Sequence, residues 1–288
     1  MTRLPVRQTG GARRRPAQRR ASSRLSPRRA LAALVMVVAG AATWGVAASP
    51  AFGVRATDVS GVAVTTDAEV AAVLALGSPP PNAFTLATDG LRSGLEAIPS
   101  VAQADVQVIL PGTLRVRIVE RTPILAWRTD NALLLVDRDG KVIADAGSSD
   151  ATAAARAVAA GLPTVDDQRA AGAPGGVVTG VEPLPVVGGQ LGPIELDVAT
   201  RLLSLRPADV GSSAAELQVR LDDEDGWTVR PAVDQPWTAV FGFYSATLRP
   251  ADLLPQQVRL LHSLLAGREA QLLRTVLADG THGTYTTK

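Results

Sequence analysis

The chain of 288 residues has no cysteine and only two histidines. The first absence removes any disulfide framework, so a body exported to an oxidising compartment must be held by its packed core. The second leaves little material for metal centres and nucleophilic triads, which draw heavily on histidine and thiol. Charge is missing in two places as well. Residues 1–29 contain ten arginines and not one Asp, Glu or Lys, and residues 30–54 contain no charged side chain. Because ten of the 29 basic residues sit in that first segment, the remainder carries 19 against 27 acids, and the pI of 9.5 describes the tail rather than the body.

The uncharged stretch is apolar on every helical face, with Leu31, Leu34, Val35, Met36, Val37, Val38 and Val46 distributed around it. About 20 such residues cross about 30 Å of hydrocarbon, and a core helix of a soluble protein would keep a polar side that is absent here. The expectation is a transmembrane helix over residues 30–50, with Trp44 in the interfacial aromatic belt. Arginines beside a span mark its cytoplasmic side, which predicts a single pass: residues 1–29 a disordered basic tail inside, the body outside. Arginine-rich tails also bind nucleic acid, but topology and anionic lipid account for these charges at their position beside the span. A removed signal peptide is the rival reading, since Ser26-Pro27-Arg28-Arg29-Ala30-Leu31 loosely matches a twin-arginine signal and Val46-Ala47-Ala48 a cleavage site. The body is extracytoplasmic under either.

Beyond the span, Phe52–Ser60 reads as a strand ending at Gly61. Thr66-Asp67-Ala68-Glu69 has the form of a capping box opening a helix with Val70, Val73 and Leu74 on one face, and Gly77 with Pro79–Pro81 ends it. Thr88–Ile98 reads as a second helix, stopped by Pro99. Ala104, Val106, Val108 and Leu110, then Leu114, Val116 and Ile118, alternate about Pro111-Gly112, a hairpin whose glycine is expected at positive φ. Residues 132–136 and 141–144 flank Asp137-Arg138-Asp139-Gly140 as a second hairpin. As a calcium loop its two acids are only a fragment of the ligand series. Residues 146–192, rich in Ala, Gly and Pro, suggest no firm element and are expected to form a loose, exposed insertion.

A helix is expected over Pro193–Leu205, with Leu196, Ala199, Leu202 and Leu203 inward. Strands 217–221 and 227–229 enclose the acidic run Asp222–Asp225, read as a solvated hairpin tip because clustered acids repel one another without a cation. Trp237–Phe243 is a further strand. Leu253–Ala266 is an amphipathic helix suited to end at Gly267, and Leu272–Ala278 with Gly283–Thr287 form a closing pair of strands.

Several of these residues carry a family resemblance. Phe52-Gly53-Val54 leading to Val59-Ser60-Gly61, then Ile98-Pro99-Ser100-Val101, Leu110-Pro111-Gly112-Thr113-Leu114 and Glu120-Arg121-Thr122-Pro123-Ile124-Leu125-Ala126-Trp127, resemble the POTRA domain of the FtsQ/DivIB bacterial cell division proteins. The match is in order and closely spaced over residues 28 to about 145 and looser beyond. The resemblance implies an α+β fold: a membrane helix, a β-α-α-β-β POTRA domain over residues 51–122, and a mixed β-rich domain with flanking helices over residues 123–288. It also implies a non-enzymatic divisome scaffold at the septum. Such a scaffold joins early and late division proteins through FtsB-like and FtsL-like partners and further divisome members, and supports septal peptidoglycan synthesis. A POTRA-bearing transport or assembly component is the alternative, although the many alternating segments of a β-barrel are missing. An exported hydrolase is the other rival.

No residue constellation supports catalysis. His262 lies within the amphipathic helix and His282 in a turn. Gly90-Leu91-Arg92-Ser93-Gly94 is not a nucleophile elbow, because its serine sits one place late, and no Walker-type phosphate loop is present. No cofactor, nucleic acid or small-molecule substrate is expected. Glu120-Arg121 is read as a brace between two domains, and Trp127 and Trp237 as packing residues. Binding through a free sheet edge is what the chain offers. Thr275, Val276, Leu277 and Ala278, with Thr284, Tyr285 and Thr286, are the expected edge, Tyr285 adding an aromatic anchor.

Overall fold

A computed structural model describes residues 26–170, 183–233, 236–246 and 249–288. The basic tail up to residue 25 and the middle of the expected insertion, residues 171–182, lie outside the described residues. Helix α1 spans Pro27–Ala47, and none of its residues is buried. It starts three residues before the uncharged stretch because Ser26 caps it through its hydroxyl and Pro27 supplies the helical φ at the first position. At about 1.5 Å per residue its length is about 31 Å.

The next elements are β1 (Ala56–Ser60), α2 (Asp67–Leu74), α3 (Thr88–Glu96), β2 (Val101–Ile109) and β3 (Thr113–Glu120). They form a three-stranded sheet in the order β1-β3-β2, with β1 parallel and β2 antiparallel to β3. The capping box is formed: the Thr66 hydroxyl accepts from the Glu69 N–H while the Glu69 carboxylate accepts from the Thr66 N–H. Leu114, Val116 and Ile118 alternate inward from β3 against Val70, Leu74 and Leu95 of the two helices. Gly94 lets those helices close, since a Cβ there would lie 2.8 Å from Val73 Cγ1. The hairpin glycine differs from expectation. Gly112 is not at positive φ; a side chain is excluded instead by the chain entering the domain, whose Gly53 carbonyl would lie 2.4 Å from a Cβ.

The remainder is built on one nine-stranded sheet. Its strands are β4 (Pro123–Arg128), β5 (Leu133–Asp137), β6 (Val142–Asp145), β7 (Thr164–Asp167), β8 (Leu217–Asp222), β9 (Gly226–Pro231), β10 (Thr238–Gly242), β11 (Leu272–Leu277) and β12 (Gly283–Thr287). The spatial order is β12-β11-β10-β9-β8-β7-β4-β5-β6. Helices α5 (Pro193–Leu203) and α6 (Leu254–Leu265) pack with Trp127, Trp227, Trp237 and Phe241 in the main core. Helix α4 (Ala153–Ala160) packs in a smaller cluster with Leu135 and Ile143.

Residues 146–192 are therefore not a loose insertion where they are described. They supply α4, the central strand β7, parallel to both β4 and β8, and the segment that covers the β6 edge through Val142 N–H to Gly189 and Gly188 N–H to Val142. A strand of four residues paired on both sides has no reason to alternate in sequence. Beside β7 lies a buried charge network. Asp167 accepts from Trp127 Nε1 at 2.7 Å and from Arg169, whose other nitrogen meets Glu195 at 3.0 Å. Burial disfavours the Arg169 charge, but Asp167 and Glu195 outweigh it and raise its pKa. This network also corrects the inner face of α5, which carries Glu195 and Val198 beside Ala199 and Leu202, with Leu196 only half-buried.

Candidate partner-docking edge

The two ends of the nine-stranded sheet are treated differently. The β6 end is covered as described above, whereas among the described residues β12 pairs only with β11 and all five of its residues are exposed. Position and register at this end are set by α6. Gln257 is fully buried and donates to the carbonyls of Leu277 at 2.7 Å and Phe241 at 3.2 Å, so one side chain ties the helix to β11 and β10. The Tyr244 hydroxyl donates to Gln257 Oε1 at 2.5 Å. Burial pushes that phenol above its usual pKa, the Arg249 charge opposing, so it stays a donor.

The turn between β11 and β12 is fixed by Asp279, whose carboxylate accepts from the N–H groups of Thr281 at 2.7 Å and His282 at 2.5 Å. These bonds, with the His282 ring at 2.9 Å, hold the Asp279 carboxyl well below the usual range. Three residues before β11, Glu269 accepts from Trp237 Nε1 at 2.8 Å, from Ser213 N–H at 2.9 Å and from the Ser212 hydroxyl. Burial raises its pKa, and these bonds outweigh it and lower the net value.

The direction of each backbone group on β12 follows from its neighbours. Lys288 N–H donates to the Gln271 carbonyl at 3.0 Å, and the His282 carbonyl accepts from Ala278 N–H at 3.1 Å. Even-numbered residues therefore turn their backbone groups toward β11. By the two-residue period of a strand, Gly283, Tyr285 and Thr287 turn theirs to the open side.

The expected edge residues consequently separate into two groups. Thr275, Val276 and Leu277 belong to β11, which is hydrogen-bonded to β10 on one side and β12 on the other, and Ala278 N–H is used in the turn. They back the edge and do not form it; Thr275 and Leu277 are buried. Thr284, Tyr285 and Thr286 lie on the edge strand, and only Tyr285 of the three faces outward with its backbone. Tyr285 pairs with Thr275, so its ring lies on the same sheet face as that core residue and is 53% exposed. A one-strand error is what alternation alone invites, because β11 and β12 both show short β-branched runs.

The acidic tip is engaged rather than merely solvated. Asp222 accepts from Glu224 N–H and Asp225 N–H, Asp223 accepts from Ala170 N–H at 2.8 Å, and Asp225 pairs with Arg274. Among the described residues, no group of three or more His, Cys, Asp or Glu side chains is placed to hold a metal ion.

A second cluster joins the two sheets. Glu120, at the end of β3, accepts from the N–H groups of Ala63, Val64 and Thr65 at 3.0, 3.0 and 2.7 Å. Burial opposes ionisation of Glu120, but these donors and the Thr65 hydroxyl outweigh it and hold the carboxyl below its usual range. Arg121, the next residue, pairs with buried Asp137 of β5 at 3.0 Å. The loop held by Glu120 inserts Val64 among Leu135, Ile143, Ala146, Ala155 and Ala159, and the Thr152 hydroxyl donates to the Ala63 carbonyl at 2.6 Å.

Residues 52–121 match the family model described as the POTRA domain, FtsQ-type. Proteins described as cell division protein FtsQ are similar along parts of the chain. The one from Jannaschia sp. is 42% identical over 85 residues, 30% of this chain and 27% of that protein. The one from Cereibacter sphaeroides is 38% identical over 76 residues, 26% of this chain and 24% of that protein. The alignment with the Chloroflexus aurantiacus protein is longer, 31% identical over 188 residues, 65% of this chain and 53% of that protein. The chain carries an FtsQ-type POTRA domain and is similar along part of its length to FtsQ cell division proteins. It spans about a quarter of the first two FtsQ relatives and about half of the third. In FtsQ/DivIB terms the α+β body pairs the POTRA domain with a β-rich domain, preceded by one apolar helix. The longer alignment reaches past the POTRA match, which alone accounts for 70 residues.

Proposed function

We propose that the chain is a non-enzymatic, single-pass scaffold of the bacterial divisome. It captures an extended segment of an FtsB-like protein, itself associated with an FtsL-like protein, as a further strand beside β12. The observation that carries this reading is the open side of β12, where the outward groups of Gly283, Tyr285 and Thr287 offer a ladder and Tyr285 a neighbouring aromatic surface. Residues 30–50 cross the bilayer, the arginine-rich segment 1–29 stays in the cytoplasm, and the POTRA domain (51–122) and β-rich domain (123–288) stand outside, enriched at the septum. Through its partners the scaffold connects early and late division proteins and supports septal peptidoglycan synthesis.

The test is Tyr285→Pro in the full chain. Proline is tolerated on an edge strand where its missing N–H faces solvent, so the fold is retained while one ladder donor is lost. Binding of an FtsB-like segment is expected to weaken by about tenfold or more, one to two hydrogen bonds' worth, with circular dichroism unchanged. Binding at the unsubstituted level would overturn the assignment. A reporter fused after Lys288 that is active only in the cytosol would overturn the orientation.

A further inference from the structure

One pole of the POTRA domain has a composition unlike the rest of it. Residues 50–55 run between two loops: Val54 N–H donates to the Pro81 carbonyl, Ala83 N–H to the Phe52 carbonyl and Arg55 N–H to the Gly112 carbonyl. The rings of Phe52 and Phe84 stand 5.1 Å apart. Phe84 is 54% exposed and Leu110, beside the Pro111-Gly112 turn, 53% exposed. The segments meeting here, residues 50–57, 75–88 and 106–114, contain no acidic side chain, and Arg55, exposed, is their one charge. Acids resume immediately outside them at Asp58, Asp89 and Asp105.

This pole is also where the chain enters the domain from α1. Five peptide steps connect Ala47 to Phe52 and reach at most about 18 Å. A headgroup layer of about 5 to 8 Å lies outside the hydrocarbon on each side of a bilayer. Apolar side chains, absence of acids and one exposed arginine match an interface of acyl chains below and anionic headgroups above. A tether of this length keeps the pole at high effective concentration near that interface, so two side chains suffice where a free domain would need more.

We propose that this pole docks on the bilayer surface, Phe84 and Leu110 entering the headgroup–acyl boundary and Arg55 facing anionic headgroups. The inference rests on the reading of α1 as a membrane span. Docking fixes the height of the POTRA domain above the membrane and leaves the β12 edge to the partner.

The absence of cysteine makes the test direct. Met36→Cys, Phe84→Cys, Leu110→Cys and Val119→Cys, each in the full chain, are labelled with an environment-sensitive fluorophore and reconstituted in vesicles of phosphatidylethanolamine and phosphatidylglycerol. Nitroxide-bearing lipid serves as quencher. Val119 is exposed like the test sites but lies at the opposite end of β3. The expected result is a blue shift and loss of emission at residues 84 and 110, strong loss at 36, and neither at 119. Loss at 36 with residues 84 and 110 behaving like 119 overturns the docking and leaves the span standing. No loss at 36 overturns the span, and the docking with it.

Discussion

Glu120→Gln is the most informative single change, because it keeps the shape of the side chain while removing its charge. The carboxylate accepts three consecutive backbone N–H groups, from Ala63, Val64 and Thr65. The amide retains one acceptor oxygen and sets its NH2 group against donors. Bonds to a charged acceptor contribute about 1.5 to 3 kcal/mol each when well enclosed; Glu120 is only half-buried, so about 1 to 2 kcal/mol in total is the reasonable loss. For a body of this size that lowers Tm by roughly 2 to 8 °C. Hydrogen exchange should speed up at residues 63–65.

The pH dependence sharpens the test. With the folded pKa of Glu120 below the unfolded one, the unfolded chain takes up the proton first as pH falls. The contribution is therefore whole above the usual glutamate range and is lost as pH drops through the folded value. The stability gap between the natural chain and the Gln variant should close over that acidic window. A gap that stays constant from neutral pH into the acid range, or no gap at neutral pH, would refute the role assigned to the carboxylate.

Two further substitutions probe the β-rich domain. Arg169→Met leaves Asp167 and Glu195 buried without the cation between them, and should cost about 3 to 5 kcal/mol in urea unfolding. Gln257→Ala removes both bonds from α6 to the strand carbonyls, and should cost about 2 to 4 kcal/mol with exchange rising first in residues 272–277.

Much of the POTRA domain was legible because its devices are local. Thr66 and Glu69 meet within one turn, and Leu114, Val116 and Ile118 alternate along one strand with a single buried face. Where the outcome depended on distant chain, sequence patterns failed. Gly112 is required by Gly53, nearly sixty residues earlier, and no turn rule contains that partner. β7 is four residues with two aspartates, made a strand by β4 and β8 on either side. Gln257 looks polar and outward in a helical repeat, and only the carbonyls of Phe241 and Leu277 explain its burial. At the candidate edge the final hairpin was foreseen, while which of its strands lies outermost depended on β10 pairing with β11 rather than with β12.

The single nine-stranded sheet has a mechanical consequence. Its strands connect the open margin at β12, rung by rung, to β5 and β6, where Leu135 and Ile143 grip Val64 of the POTRA domain. A sideways tug by a bound partner would load every ladder in series, so the weakest sets the limit. Those are the three parallel ladders, β10 with β11, β7 with β8 and β4 with β7, of three residue pairs each. A pull on the β12 margin would thus open the sheet at its parallel seams and leave the β11–β12 hairpin paired.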